Sequence, residues 1–259
     1  MLSAWQFEVV SHFLTLGYAA MAAALLFFVL TIKTNKPKYR MSSVLSVVVM
    51  VSAFLLLFAQ LANWTQAFDY NAQTQTYTYL NNFSSGYRYL NWLIDVPMLL
   101  IQILFVAGIA GVAFKKYVAR FATFGVLMIV TGYIGQFYEP NYGLDNSGNT
   151  FMWLLWGAIS TVFYVFVLIL ITRVIKEGKA NMAGSKAQGL FAFILPLFYV
   201  SWTIYPIAYL MPLWNNFELA IVSQQVLYTL ADISSKVVYG VILQVVSSVL
   251  SQEQGFKEV

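Results

Sequence analysis

Apolar residues in this chain come in long unbroken blocks rather than in the alternating or one-faced patterns of a soluble domain. Seven blocks, at about 5–32, 41–66, 86–112, 118–138, 150–175, 189–213 and 218–250, are long enough to cross a bilayer as helices, which takes about 20 residues each. Only the connections 67–85 and 139–149 are long. The pattern predicts an all-α membrane protein, a seven-transmembrane-helix bundle forming one domain over residues 1–259, without a soluble insert. The third block departs from the pattern. GYRYLNWLIDVPMLLIQILF (86–105) carries Arg88, Asn91, Asp95 and Gln102, whose steps of three, four and seven put all four on one stripe of a helix. At about 1.5 Å per residue, Asn91 to Gln102 covers roughly 16 Å, about half the hydrocarbon core. A polar file of that length reads as a path.

Composition agrees with the blocks. The chain is 60% hydrophobic and 9% charged, against about a quarter charged in a soluble domain. The lack of cysteine excludes disulfides and thiolate metal sites, and with His12 as the sole histidine there is no histidine cluster for zinc or iron. No nucleophile–base pair suggests an enzyme. The start, MLSAWQFE, has neither the basic region nor the cleavage site of a signal peptide, so the first block is expected to stay in the mature protein.

Charge then sets an orientation. Lys33, Lys36, Lys38, Arg40, Lys115, Lys116, Arg120, Arg173, Lys176, Lys179, Lys186 and Lys257 all fall on one side of the seven blocks. Glu8, Asp69, Glu139, Asp145 and Glu218 fall on the other. The positive-inside rule places the N-terminus outside and the C-terminus in the cytoplasm. The net charge of +4 therefore reports topology, and no nucleic-acid partner is expected. The two basic residues left over, Arg88 and Lys236, are expected inside the membrane.

Lys236 sits near the middle of the seventh block, in YTLADISSKVVYG, one i,i+4 step after Asp232. Three readings follow. The lysine could snorkel, although the chain runs roughly 14 residues further before it leaves the block. It could form a structural ion pair with Asp232. It could instead be a reactive amine, since a desolvated lysine readily forms a Schiff base with a carbonyl cofactor. A protonated Schiff base in low dielectric needs carboxylate counterions, and Asp95 and Asp232 are the two carboxylates near the middle of blocks.

Seven blocks with RYLNWLIDVP in the third, WTIYP (202–206) in the sixth and DISSK in the seventh resemble a microbial rhodopsin over essentially the whole chain. The resemblance implies all-trans retinal on Lys236. It also implies a pocket from Trp92, Val96, Leu99, Met128, Gly132, Ser160, Trp202, Tyr205, Pro206, Tyr209 and Ser235. Asn91, Asp95 and Gln102 stand where proton pumps of that family have an aspartate acceptor and commonly a carboxylate donor at the first and last of these positions. The Asn-Asp-Gln pattern is similar to that of sodium-pumping rhodopsins of marine bacteria, as are SHFLTLGYA (11–19), MVSAFLLLFAQ (50–60) and GYIGQFYE (132–139). It implies a light-driven outward sodium pump in a bacterial inner membrane, multi-pass, assembled as a homopentamer and needing no signalling partner. An outward proton pump, also expected when sodium is scarce, and a photosensory rhodopsin are the alternatives.

On this reading Asp95 is the proton acceptor. Asn91, Asp95 and Asp232 transiently hold sodium, Gln102 lies on its way in, and Arg88 gates its way out. Asn91 suits that role because an amide oxygen ligates a hard cation but takes no proton. Ser52 is expected to hold Asp95 in the dark, and Glu139 to belong to an exit cluster. Several positions depart from the sodium-pump pattern. Gln224 stands where an arginine is expected, and Asn81 where an aspartate can hold an ion between protomers. Ser43 and Gln244 occupy mouth positions where Asn and Gly occur. Gly157, in place of a bulky tryptophan, would leave a side opening as in members that hold a carotenoid antenna, or would serve close helix packing. His12 is expected to pack at the interior, a protomer contact or lipid.

Overall fold

The computed structural model describes residues 1–80, 83–140, 148–214 and 216–256. Asn81, Asp145 and Lys257 lie outside the described residues. Among the described residues, eight α-helices make seven spans: α1 (Ala4–Thr31), α2 (Pro37–Gln66), α3 (Gly86–Val106), α4 (Gly111–Gln136), α5 (Thr150–Asn181), α6 (Gln188–Tyr209), α7 (Phe217–Asp232) and α8 (Tyr239–Glu253). Helices α7 and α8 are joined without a break by a π-helical turn, Ile233–Val238, and form the seventh span together. All seven spans are long and apolar enough to cross a membrane.

Several helix ends differ from the expected blocks, among them four on the basic side. α3 stops at Val106 because Gly108 takes a left-handed φ of 69° and the Ile109 amide turns back onto the Leu104 carbonyl at 3.2 Å. α4 starts at Gly111, well before 118. α2 starts at Pro37, whose ring pre-sets φ for a first helical position. α5 runs past 175 to Asn181 because its inner face goes on packing. A Cβ on Gly178 would come within 2.6 Å of the Phe191 ring and 2.8 Å of Ala107, and Asn181 Nδ2 donates to the Ala107 carbonyl at 3.0 Å.

The acidic end also carries a small sheet that the block pattern does not announce. Strands β1 (Leu2–Ser3), β2 (Phe68–Asn71) and β3 (Thr76–Tyr79) form an antiparallel sheet in the order β1-β3-β2. Asn71 Oδ1 accepts from the Gln73 and Thr74 amides and folds the hairpin back. Phe7 stacks on Tyr77 with ring centres 3.8 Å apart, and Trp64 and Phe68 join them in an aromatic cap over the bundle.

α3 is the most buried span and packs against α2 and α4, with further contacts to α5 and α8. This placement explains the polar stripe: Arg88, Asn91, Asp95 and Gln102 are each no more than 1% exposed. Charges in an apolar bundle survive only if partners are built around them. His12, by contrast, is exposed on the outside of α1, with Nε2 3.6 Å from Glu8 Oε2, so the interior is not its place.

Candidate functional site

The lysine ammonium sits among oxygens from two spans. Lys236 Nζ is 2.8 Å from Asp232 Oδ1 and 3.1 Å from Asp95 Oδ2, and it donates to Asn91 Oδ1. Two local devices aim these groups. On α3 the four-residue step stacks Asn91 over Asp95, and Asn91 Nδ2 donates to Asp95 Oδ2 at 2.6 Å. On the seventh span the π turn contains Lys236 itself. The sequence suggested a plain i,i+4 helical step; the wider π turn is a feature that recurs at functional sites.

The two carboxylates are held very differently. Asp232 is saturated. Its Oδ1 accepts from Lys236, from Trp92 Nε1 at 3.0 Å and from Tyr205 OH at 2.8 Å, and its Oδ2 accepts from Arg88 Nη1 at 2.8 Å. Tyr205 OH is also 2.8 Å from Ser235 Oγ. Asp95, fully buried, keeps Oδ1 without a partner. A carboxylate with several donors has its charge fixed in place, whereas one with an open oxygen can receive a proton. Ser52 was expected to hold Asp95 itself. In the structure Ser52 is a side-chain hydrogen-bond neighbour of Asp95, and its Oγ also accepts from Asn91 Nδ2 at 3.1 Å.

Arg88 closes the site toward the acidic end. Besides Asp232 it donates to Gln225 Oε1 at 3.2 Å, to the Gln225 carbonyl at 3.3 Å and to Thr229 Oγ1 at 3.0 Å, and it lies over the Tyr228 ring. Counter-charge and plug are thus one arrangement. Further out, Gln224 Nε2 donates to Glu139 Oε1 at 2.7 Å, so the glutamine that replaces the expected arginine still reaches the glutamate. Toward the basic end, Gln102 Oε1 accepts from Ser46 Oγ at 3.0 Å while its Nε2 has no partner.

Beside Lys236 a cavity with about 760 Å³ of atom-free space, its opening included, runs between α3, α4, α5, α6 and the seventh span. Trp92, Val96, Leu99, Met128, Gly132, Ser160, Trp202, Tyr205, Pro206, Tyr209, Ser235 and Lys236, the whole expected pocket, line it. The walls are apolar and aromatic. Phe198 stacks on Trp202, and Tyr89, Tyr205 and Tyr228 each meet the Trp92 ring edge-on. A buried primary amine beside an apolar, flat-walled cavity fits a polyene aldehyde bound through that amine.

Sequence reasoning missed Tyr89, Ile129, Thr161, Tyr164 and Tyr228 in the cavity wall, and Gln225 and Thr229 on Arg88. For three of these a signal existed. Gln225, Tyr228 and Thr229 precede Asp232 by seven, four and three residues, which puts them on its helix face. The expected side opening at Gly157 takes another form. Gly157 does line the cavity, but a Cβ there would meet the Tyr209 ring at 2.6 Å, so Tyr209 fills the space that the glycine leaves.

Known proteins place the arrangement. The fold matches the structure titled xanthorhodopsin, "a light-driven ion pump with dual chromophore", with a TM-score of 0.86 and 30% identity over 99% of this chain and 98% of that one. It matches a thermophilic rhodopsin equally well, with a TM-score of 0.86 and 26% identity over 98% of both chains. Bacteriorhodopsin-II of Haloarcula marismortui is 29% identical over 156 residues, covering 60% of this chain and 57% of its own length. The chain thus spans less than two thirds of that relative. The family model described as bacteriorhodopsin-like protein matches residues 8–249, and the chain belongs to that family of retinal-binding, seven-span membrane proteins.

Proposed function

We propose that the protein is a light-driven pump that moves sodium outward, with its basic end in the cytoplasm of a bacterial cell. The observation that carries this reading is the identity of the third oxygen on Lys236 Nζ. It comes from the amide of Asn91, beside one carboxylate that is saturated and one that is open.

Bound covalently at Lys236 Nζ, retinal supplies a light-driven change of shape that alters how strongly that nitrogen holds its proton. The rest belongs to the chain. In the dark the positively charged nitrogen of Lys236 faces Asn91, Asp95 and Asp232, so a cation beside those oxygens would meet a like charge at close range. A proton that leaves Nζ goes to Asp95, 3.1 Å away, because Arg88, Trp92 and Tyr205 keep Asp232 ionised. Asn91 Oδ1 and Asp232 Oδ1 then face an uncharged nitrogen and can ligate a sodium ion that arrives past Gln102. Return of the proton from Asp95 to Nζ expels the ion toward Arg88 and the Gln224–Glu139 pair. Movement against a membrane potential costs about 2.3 kcal/mol per 100 mV.

A proton pump is the second reading. Asp95 Oδ1, buried and without a partner, could pass its proton on rather than back. A homopentamer in the lipid bilayer belongs to the proposal as well. So does a carotenoid antenna, in its weakest part: xanthorhodopsin is described as having a dual chromophore, but here Tyr209 packs against Gly157.

The deciding experiment is the light-induced pH change of an unbuffered suspension of expressing cells supplied with retinal, in sodium chloride and then in potassium chloride. Alkalinisation in sodium that grows with a protonophore supports sodium efflux. Acidification in both salts that the protonophore abolishes makes the protein a proton pump. A coloured protein with no response moves the photosensory reading to the front.

A further inference from the structure

Asn35 is out of place by every local rule. It follows α1 in a loop with Lys33, Lys36, Lys38 and Arg40 as neighbours, yet it is 0% exposed. A buried loop amide must have its hydrogen bonds made inside the protein. Asn35 Nδ2 donates to Gln244 Oε1 at 2.8 Å and to Ser43 Oγ at 3.1 Å, and Ser43 Oγ is 2.6 Å from the same Gln244 oxygen. Gln244 Nε2 in turn donates to the Thr31 carbonyl at 2.9 Å and to Thr34 Oγ1 at 3.3 Å. One side chain from α8 is thereby fastened across the end of the bundle to both flanks of the first loop. Asn35 Oδ1 is buried with no partner.

The position of this knot gives it meaning. Ser43 lies one turn of α2 from Ser46, and Ser46 donates to Gln102, the innermost polar group on the basic side of the lysine. Anything that travels from the basic end to Gln102 beside α2 must pass the knot. With Gln244 fastened, the way is shut. With Gln244 swung aside, Asn35 Oδ1, Ser43 Oγ and Thr34 Oγ1 are neutral oxygens of the kind that replaces the water of a hard cation.

We infer that Asn35 is a positioning residue that latches Gln244 across the mouth at the basic end, and that release of this latch admits the cation. The part that concerns a cation rests on the sodium reading above; the latch itself does not.

The test uses the natural absence of cysteine. A single cysteine is introduced by Ser46→Cys, beneath the latch, in the retinal-loaded protein kept in the dark. Its rate of reaction with a small cationic methanethiosulfonate is measured with and without Asn35→Ala. Of the two hydrogen bonds that Asn35→Ala removes, the one to Gln244 holds the latch, and loss of one neutral hydrogen bond shifts a closed–open balance about fivefold, equivalent to about 1 kcal/mol at 1.4 kcal/mol per tenfold. The labelling rate should therefore rise about fivefold. Gln244→Met, similar in length but without the hydrogen bonds to Asn35, Ser43, Thr31 and Thr34, should raise it at least as much, and Asn35→Ala should add little in the Gln244→Met background. Unchanged labelling in both single variants overturns the latch.

The second arm measures, by flash photolysis without the added cysteine, the sodium concentration that half-saturates the sodium-dependent step. An opened mouth lowers it by a similar factor, because a larger fraction of molecules is competent to bind. A purely structural Asn35 would lower thermal stability and leave both readouts alone, which would also overturn the inference. If the wild type transports sodium and labelling rises without any change in half-saturation, the latch is real but is not on the ion's path. If the wild type transports no sodium, the sodium reading fails and labelling alone decides the latch.

Discussion

Arg88 and Asp232 form an ion pair at 2.8 Å with both side chains fully buried. The worth of this pair can be worked out from what each partner would be left with. Asp232→Asn takes the only carboxylate from Arg88, which keeps neutral acceptors on Gln225 and Thr229 alone. Arg88→Gln leaves Asp232 with Lys236, Trp92 and Tyr205 but without its guanidinium. Breaking a buried pair by removing one charge costs about 3–5 kcal/mol, while replacing both charges by neutral groups of similar size is often close to neutral. Lys236 keeps Asp95 as a counter-charge throughout. The double variant Arg88→Gln, Asp232→Asn should therefore be at least as stable as either single variant, and the coupling energy should be about 3 kcal/mol or more. The assay is unfolding of the pigmented protein in mixed detergent with increasing dodecyl sulfate, in the dark, followed by loss of the visible band. Additivity of the two single changes to within about 0.5 kcal/mol would mean that the buried charges do not depend on each other, and the account of the site's electrostatics would fall.

Other expectations follow from the same geometry. Lys236→Ala should show no visible band after addition of retinal while keeping its helical circular dichroism; a coloured product would refute attachment at Nζ. Asp95→Asn should keep the colour, because Asp232 remains as counterion, and should lose transport in the cell-suspension assay by at least about a hundredfold, the usual weight of a proton-transfer group. Undiminished sodium efflux would remove Asp95 from the mechanism. Gly157→Ala forces a methyl group to within 2.6 Å of the Tyr209 ring, which stacks on Trp153 and donates to its carbonyl. Overpacking of this kind costs about 1–3 kcal/mol, readable as faster thermal bleaching; an unchanged bleaching rate would show that the ring can move aside freely.

The spans and the central stripe were legible because a bilayer punishes every departure from apolar sequence, so the exceptions at Arg88, Asn91, Asp95, Gln102, Asp232 and Lys236 stand out against a uniform background. The small sheet was not legible. Phe68–Asn71 and Thr76–Tyr79 are four residues each, too short for a periodic signal, and their pairing with Leu2–Ser3 depends on where the first helix begins. Nor was the π turn, since the local sequence ISSKVV allows an ordinary helix and the turn is defined by its surroundings. Asn35 was hidden by its company. Among four basic neighbours it reads as solvated, and only the return of α8 to the same end of the bundle buries it beside Gln244.

Arg88, Asp95, Asp232 and Lys236 sum to zero charge both before and after a proton passes from Lys236 Nζ to Asp95. Net charge therefore cannot be what lets a sodium ion into the centre on the proposed reading. What the transfer changes is where the charges lie and which oxygens are occupied. Before it, the positively charged nitrogen of Lys236 faces Asn91 Oδ1 and the Oδ1 of Asp232. After it, the same oxygens surround a nitrogen that no longer repels a cation, and Arg88 still holds the far oxygen of Asp232. A pocket of oxygens built around a positively charged nitrogen is then a pocket of suitable sign for a small cation. An aspartate at position 91 would defeat this in either state, since it would compete with Asp95 for the proton or, if ionised, would bind the ion too strongly to release it. A neutral amide does neither, and that is the physical case for an asparagine beside the lysine.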